Sequence, residues 1–139
     1  MHERTNRAAL RGTVLLGAGL AGVGLLTGLT GCAGASDGDV SKVAVTFENP
    51  SGDVQSRCAL LAPATLTELE QDSPCADALP QLPLDGGRVR SVEVWGGGAQ
   101  VRMEGDTVFL TQTRSGWRVT AAGCTPRGDA PYQCEVDGP

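Results

Sequence analysis

The chain divides according to the period of its apolar positions. From Thr13 to Leu26 apolar and small residues run together without alternation, and the run closes in Leu29-Thr30-Gly31-Cys32. Residues 32–39 are small and polar with no apolar period, which predicts a flexible tether with order beginning at about Val40. The segment Val40 to Glu48 fits two templates. Val43, Val45 and Phe47 alternate as a strand does, whereas Val40, Val43, Ala44 and Phe47 follow the spacing of a helix face. Its β-branched content favours the strand. Asn49-Pro50-Ser51-Gly52 ends the element in either case, because Pro50 disfavours helix at Asn49.

Short helical pieces follow. Asp53 is placed to cap a helix running through Ala59-Leu60-Leu61, its side-chain oxygen accepting a first-turn N–H. Pro63 breaks that helix or opens the next, Ala64 to Gln71, with Leu66 and Leu69 on one side. Ser73-Pro74 starts another piece around Ala76 to Leu79, and Pro80, Pro83 and Gly86-Gly87 end the helical half. From Arg88 the period becomes two, in runs around Val89–Trp95, Gln100–Met103, Val108–Thr111 and Trp117–Ala121. Gly96-Gly97-Gly98, Glu104-Gly105-Asp106 and Arg114-Ser115-Gly116 separate them, which predicts an antiparallel meander of four strands. One face of that sheet needs cover, and the helices supply it. The expected fold is α+β, with short N-terminal helices packed on a curved four-stranded antiparallel meander, as a single small domain over 40–139.

The opening of the chain reads as an export signal. Arg4, Arg7 and Arg11 precede the apolar run, and small residues lead to a cysteine. Leu29-Thr30-Gly31-Cys32 resembles the lipobox of bacterial lipoproteins. That resemblance implies cleavage after Gly31, lipid on the Cys32 thiol and a place on the extracytoplasmic face of the cell membrane. A membrane-spanning helix fits the run less well. It would need about 20 strongly apolar residues, and six glycines, Gly17, Gly19, Gly22, Gly24, Gly28 and Gly31, dilute this one. Plain secretion, with Cys32 incidental, is the other reading. Two or three acyl chains hold a protein at a bilayer essentially permanently, so nothing downstream needs to bind membrane.

Charge changes the picture little. Removal of residues 1–31 leaves 15 acidic against 8 basic side chains, a net charge near −7. Such a surface excludes a basic stripe for nucleic acid and is repelled by anionic lipid heads, while keeping the domain soluble. Lys42 is the only lysine, and the wealth of Arg, Ala and Gly suggests a GC-rich coding sequence and an actinobacterial source.

Cysteine count says more. Beyond Cys32, an exported chain with Cys58, Cys75, Cys124 and Cys134 should form two disulfides, for which three connectivities exist. Pairing Cys58 with Cys75 and Cys124 with Cys134 keeps each bridge within one half of the fold. The spacings are unlike the paired Cys-x-x-Cys knuckles of a zinc site.

Candidate chemistry is sparse. The only histidine, His2, lies in the signal, so Ser-His-Asp, Cys-His and His-ligated metal sites are not expected in the domain. Gly96-Gly97-Gly98 joins two strands and lacks the following helix and lysine of a phosphate loop. Cofactor, metal and catalytic residues are all expected to be absent. Glu93 and Tyr132 are the least implausible participants in carboxylate chemistry, although Glu93 paired across strands with Arg102 is the simpler reading. Trp95 and Trp117 are expected in the sheet core.

The order of helices and sheet, Cys-Ala-Leu-Leu-Ala-Pro at Cys58 to Pro63, Gly-Trp-Arg-Val at 116–119 and Gly-Cys at 123–124 together resemble small lipoproteins of the nuclear-transport-factor-two-like cone superfamily. The resemblance spans most of residues 40–124 and tips the Val40 segment toward helix, though this chain is shorter than the enzymes of that superfamily. The expected function is that of a non-enzymatic, lipid-anchored envelope module that binds or supports another envelope component. The alternatives are an extracellular binder of a small apolar ligand and a small carboxylate-based isomerase or lyase.

Overall fold

A computed structural model of the chain describes residues 31–139, and side chains from Ser36 onward. Residues 1–30 of the expected signal sequence, with Leu29 and Thr30, lie outside the described residues, as does the side chain of Cys32. The fold is α+β, helices first and an open antiparallel sheet after them.

Helix α1 spans Gly31–Glu48. Its buried positions are Val40, Ala44, Phe47 and Glu48, so the spacing of four, then three, wins over alternation. Val45, which a strand would have turned inward beside Val43 and Phe47, is 45% exposed. The stretch expected as a flexible tether is the first part of this helix, and order begins well before Val40. Packing of Val40, Ala44 and Phe47 supplies the costly nucleus, after which each residue added toward the N-terminus gains one hydrogen bond.

Helix α2, Val54–Cys58, is capped as expected. The Asp53 carboxylate accepts the Ser56 N–H at 2.7 Å. It stops before Leu60 and Leu61, because that stretch joins the sheet: Leu61 forms a parallel bridge with Val119, the Val119 N–H donates to Leu60 O, and Ala62 N–H donates to Val119 O. Pro63 then sits at the start of α3, Pro63–Leu69, where its missing N–H costs nothing. Helix α4, Cys75–Ala78, and the 3-10 turn Leu79–Gln81 complete the helical half.

The sheet has six strands rather than four: β1 Val89–Trp95, β2 Gly98–Met103, β3 Thr107–Thr113, β4 Gly116–Arg127, β5 Ala130–Gln133 and β6 Val136–Asp137. The first four run as the expected meander, in the order β1-β2-β3-β4. The two further strands both pair with β4, which runs six residues beyond Ala121. Gly123 sits within it at φ +62°, and a Cβ there would come within 2.8 Å of Leu84 Cδ2, so only glycine fits both the backbone and the space.

One face of the sheet, carrying Val101, Val108, Leu110 and Val119, closes on α1 and on Leu79 and Leu84. Trp117 is in this core, but Trp95 is not. It lies at the β1–β2 tip and is 53% exposed, because it alternates with the inward positions of β1 and stands with Glu93 on the face of the sheet turned away from α1.

Disulfides join Cys58 to Cys75 and Cys124 to Cys134. The first ties α2 to α4, and the second ties the outer part of β4 to the residue after β5. Each closes a short loop, of 17 and 10 residues, a constraint on the unfolded chain that contributes about 3 kcal/mol. Replacing Cys124 and Cys134 together by Ser should therefore lower the unfolding free energy by about 3 kcal/mol, measured by urea denaturation. An unchanged midpoint would show that the hairpin is held by pairing alone.

Candidate functional site

The unusual chemistry of the domain lies at the C-terminal end of α1. The helical period that buries Phe47 also buries its neighbour Glu48, four residues from Ala44 and eight from Val40. Glu48 is only 2% exposed, and neither of its carboxylate oxygens makes an aligned hydrogen bond. Facing it is Asp106, from the turn between β2 and β3, whose Oδ1 is likewise buried without a partner. Gly86 packs beside them, where a Cβ would lie 3.1 Å from Glu48 Cγ and 2.5 Å from Met103 Sδ, so a bulkier residue would displace the acid.

Burial sets the protonation of this pair. Loss of hydration disfavours the charged form of Glu48, and the adjacent Asp106 carboxyl adds to the effect. The Gly123 N–H and the Arg57 guanidinium act in the opposite sense but do not balance it, and the pKa rises from 4.5 to about 8. Asp106 is also pushed up, chiefly by burial. The Glu48 side chain draws its pKa down while the nearby Asp85 raises it. Glu48 thus keeps its proton at neutral pH, and the two carboxyls titrate as an interacting pair.

Arg57 holds the end of the helix in place. Its Nε donates to Phe47 O at 2.6 Å, satisfying a carbonyl that the last turn leaves without an intrahelical partner. Its guanidinium also lies 5.8 Å from the Phe47 ring centroid. Burial lowers the Arg57 pKa, and the Glu48 carboxyl opposes that. Arg57 is thus a buried cation on a helix C-terminus, the location that the helix dipole favours.

Chemically, a carboxyl kept protonated near neutrality is what a general acid requires. Glu48 lines a surface recess of about 210 Å³ with Val45, Asn49, Pro50, Asp85 and Gly87. A second recess, of about 370 Å³, lies between α1 and the β3–β4 turn, with Lys42, Val43, Thr46, Leu60, Trp117 and Arg118 on its walls.

The residues nominated from sequence lie elsewhere. Glu93 is exposed and paired with Arg102 at 3.5 Å, the simpler of its two readings. It stands opposite Gln100, whose amide donates to the Tyr132 hydroxyl at 3.1 Å, while the Tyr132 ring meets Phe109 edge-on at 5.1 Å. This group occupies the face of the sheet turned away from α1, so neither Glu93 nor Tyr132 meets the buried acids. Glu48 was missed because its burial follows only if Val40 to Glu48 is helical. Asp106 carried no signal, since a Glu-Gly-Asp turn is ordinarily solvated.

Among the described residues, no group of three or more His, Cys, Asp or Glu side chains is arranged to hold a metal ion, and no helix is long and apolar enough to cross a membrane. Compared with protein-family models, with curated proteins and with solved structures, the chain matches none.

The sign of the pH dependence follows from the Glu48 shift. Between about 4.5 and 8 the folded chain keeps a proton that the unfolded chain releases, so stability falls as pH rises through that window and levels off above it. Asp106 shifts in the same direction. Glu48→Gln, which stays neutral, should flatten the decline between about pH 5 and pH 8 and be more stable than wild type at the upper end. Urea denaturation of both proteins at the two pH values checks this.

Proposed function

We propose that this protein is a lipid-anchored module of the bacterial cell envelope, held by acyl chains on Cys32 at the extracytoplasmic face of the membrane, which works by binding rather than catalysis. The observation that carries the proposal is the sequence Leu29-Thr30-Gly31-Cys32 after a basic and then apolar leader. Two disulfides in a domain this small agree with it, since such bridges persist in oxidising compartments outside the cytoplasm. In this reading the domain is a small member of the nuclear-transport-factor-two-like cones, and the recess beside Trp117 is the place for a peptide or small ligand of an envelope partner. The buried acids serve the fold.

One observation favours a second reading, catalysis by a carboxyl group. Glu48 holds its proton near neutrality beside a surface recess, as the acid of a small isomerase or lyase would. Its near-complete burial ranks this second, because a substrate would have to displace α1 or Gly86 to reach the proton.

The anchor is tested by growing the source bacterium, or a host with the lipoprotein pathway, on an alkyne-tagged fatty acid. Wild-type protein should take up the tag and sediment with membranes, and Cys32→Ser should lose the tag. Tagged Cys32→Ser protein, or untagged wild type with an intact leader, would remove the basis of the proposal.

A further inference from the structure

We propose that the recess between α1 and the start of β4 binds a small monocarboxylic acid, its carboxylate held by the Trp117 N–H, Arg118 and Lys42 and its apolar body lying against Val43 and Leu60. The inference rests on the reading of this recess as a ligand site and narrows it from any peptide or small ligand to one chemical class.

The main chain supplies the first group. Along β4 successive residues turn their N–H and C=O groups alternately toward β3 and toward the opposite edge. Val119 faces that edge, since its N–H donates to Leu60 O and its C=O accepts the Ala62 N–H, both at 2.8 Å. Trp117, two residues earlier, faces the same way. Its partner in register is Gln112, whose N–H is turned outward to Gly97 O at 2.7 Å, so the two exchange no bonds. Beside Trp117 the edge has no neighbouring chain, because before Leu60 the backbone turns back into α2, with the Leu60 N–H donating to Arg57 O. The Trp117 C=O is taken by Arg118 Nη1 at 2.8 Å, and its N–H is left toward the recess that Leu60, Gly116 and Trp117 line.

The same contact fixes a cation there. A Cβ on Gly116 would lie 3.8 Å from Arg118 Nη1, so the guanidinium stands beside a bare glycine at the recess. Lys42, the only lysine of the chain, is on the α1 wall, and among the described residues neither cation is in an ion pair. Two cations and an N–H dipole against one acid, Asp39, reverse the local charge in a chain of 16 acidic and 11 basic side chains. The recess bordered by Glu68, Asp72, Glu135 and Asp137 would repel an anion. Between the cations the walls are apolar, with Val43, Leu60 and Trp117, and a volume of about 370 Å³ suits a molecule of several carbons. A free acid fits this edge and an added peptide strand does not. The strand would need the Trp117 C=O as well as its N–H, but Arg118 has taken the C=O, and Leu61 is already bridged to Val119 at the next position along. Asp39 opposes a second negative charge, which favours a monocarboxylate over a phosphate or a dicarboxylate.

The test titrates the purified, nitrogen-15-labelled protein with hexanoate, with neutral hexanamide and with acetate, at neutral pH and constant ionic strength. Hexanoate should give saturable shifts centred on the Trp117 and Gly116 amides and bind at least fivefold more tightly than either control. Lys42→Gln should weaken hexanoate about threefold, as expected for an exposed charge contact, and Asp39→Asn should strengthen it by about the same factor. Both side chains are exposed, and the amide spectrum of each variant shows that its fold is kept. Opposite signs one helical turn apart distinguish a charge effect from general loosening. Equal binding of hexanoate and hexanamide overturns the acid and leaves the recess as a ligand site. Acetate binding as tightly as hexanoate, hexanoate shifts centred elsewhere, or affinity unmoved by both variants overturns the proposal as well. No saturable shift from any probe removes the ligand reading of the recess with it. None of these outcomes touches the anchor, which the fatty-acid tag decides by itself.

Discussion

The structure depends on the packing of one helix face. Val40, Ala44 and Phe47 close the apolar side of the sheet, and because the chain turns immediately after Glu48, that acid goes into the interior with them. Everything unusual near it follows as a response to that position. Arg57 is drawn in over Phe47 and satisfies its carbonyl, Gly86 leaves room for the Glu48 chain, and Asp106 is covered as the β2–β3 turn folds over the helix end. A buried carboxyl with no aligned partner is a cost that the fold accepts by keeping it protonated.

Much of the architecture could be read from the chain, and the failures share a cause. Strong periodicity placed the central meander, and turn residues placed its corners. The Asp53 cap and the opening position of Pro63 needed only local chemistry. What escaped depended on contacts distant in sequence. No strand was expected after Ala121, yet β5 and β6 form because β4 offers its length to pair with and Cys134 is tied back to Cys124. Trp95 has the residue type of a core position, but its register on β1 puts it with Glu93 on the face that the helices do not cover. The α1 assignment turned on Val45, whose exposure only the three-dimensional arrangement could decide.

The candidate site was less legible than the fold. The proposed anchor at Cys32 is read from residues adjacent in the chain, Leu29-Thr30-Gly31-Cys32. The acid pair has no such signal, since Glu48 and Asp106 lie far apart in the chain and meet only when α1 crosses the sheet. Glu93 was more conspicuous in sequence and proves to be an exposed partner of Arg102.

The short parallel bridge between Leu61 and Val119 stitches the segment after α2 into the border of the sheet by main-chain bonds, independently of any side chain. The helical portion and the meander are therefore not two modules resting on one another. Severing the chain between Pro83 and Arg88 would strip β4 of a backbone neighbour on one side and orphan the polar groups of residues 60–62 on the other. Recombination in evolution would consequently have to exchange this domain whole.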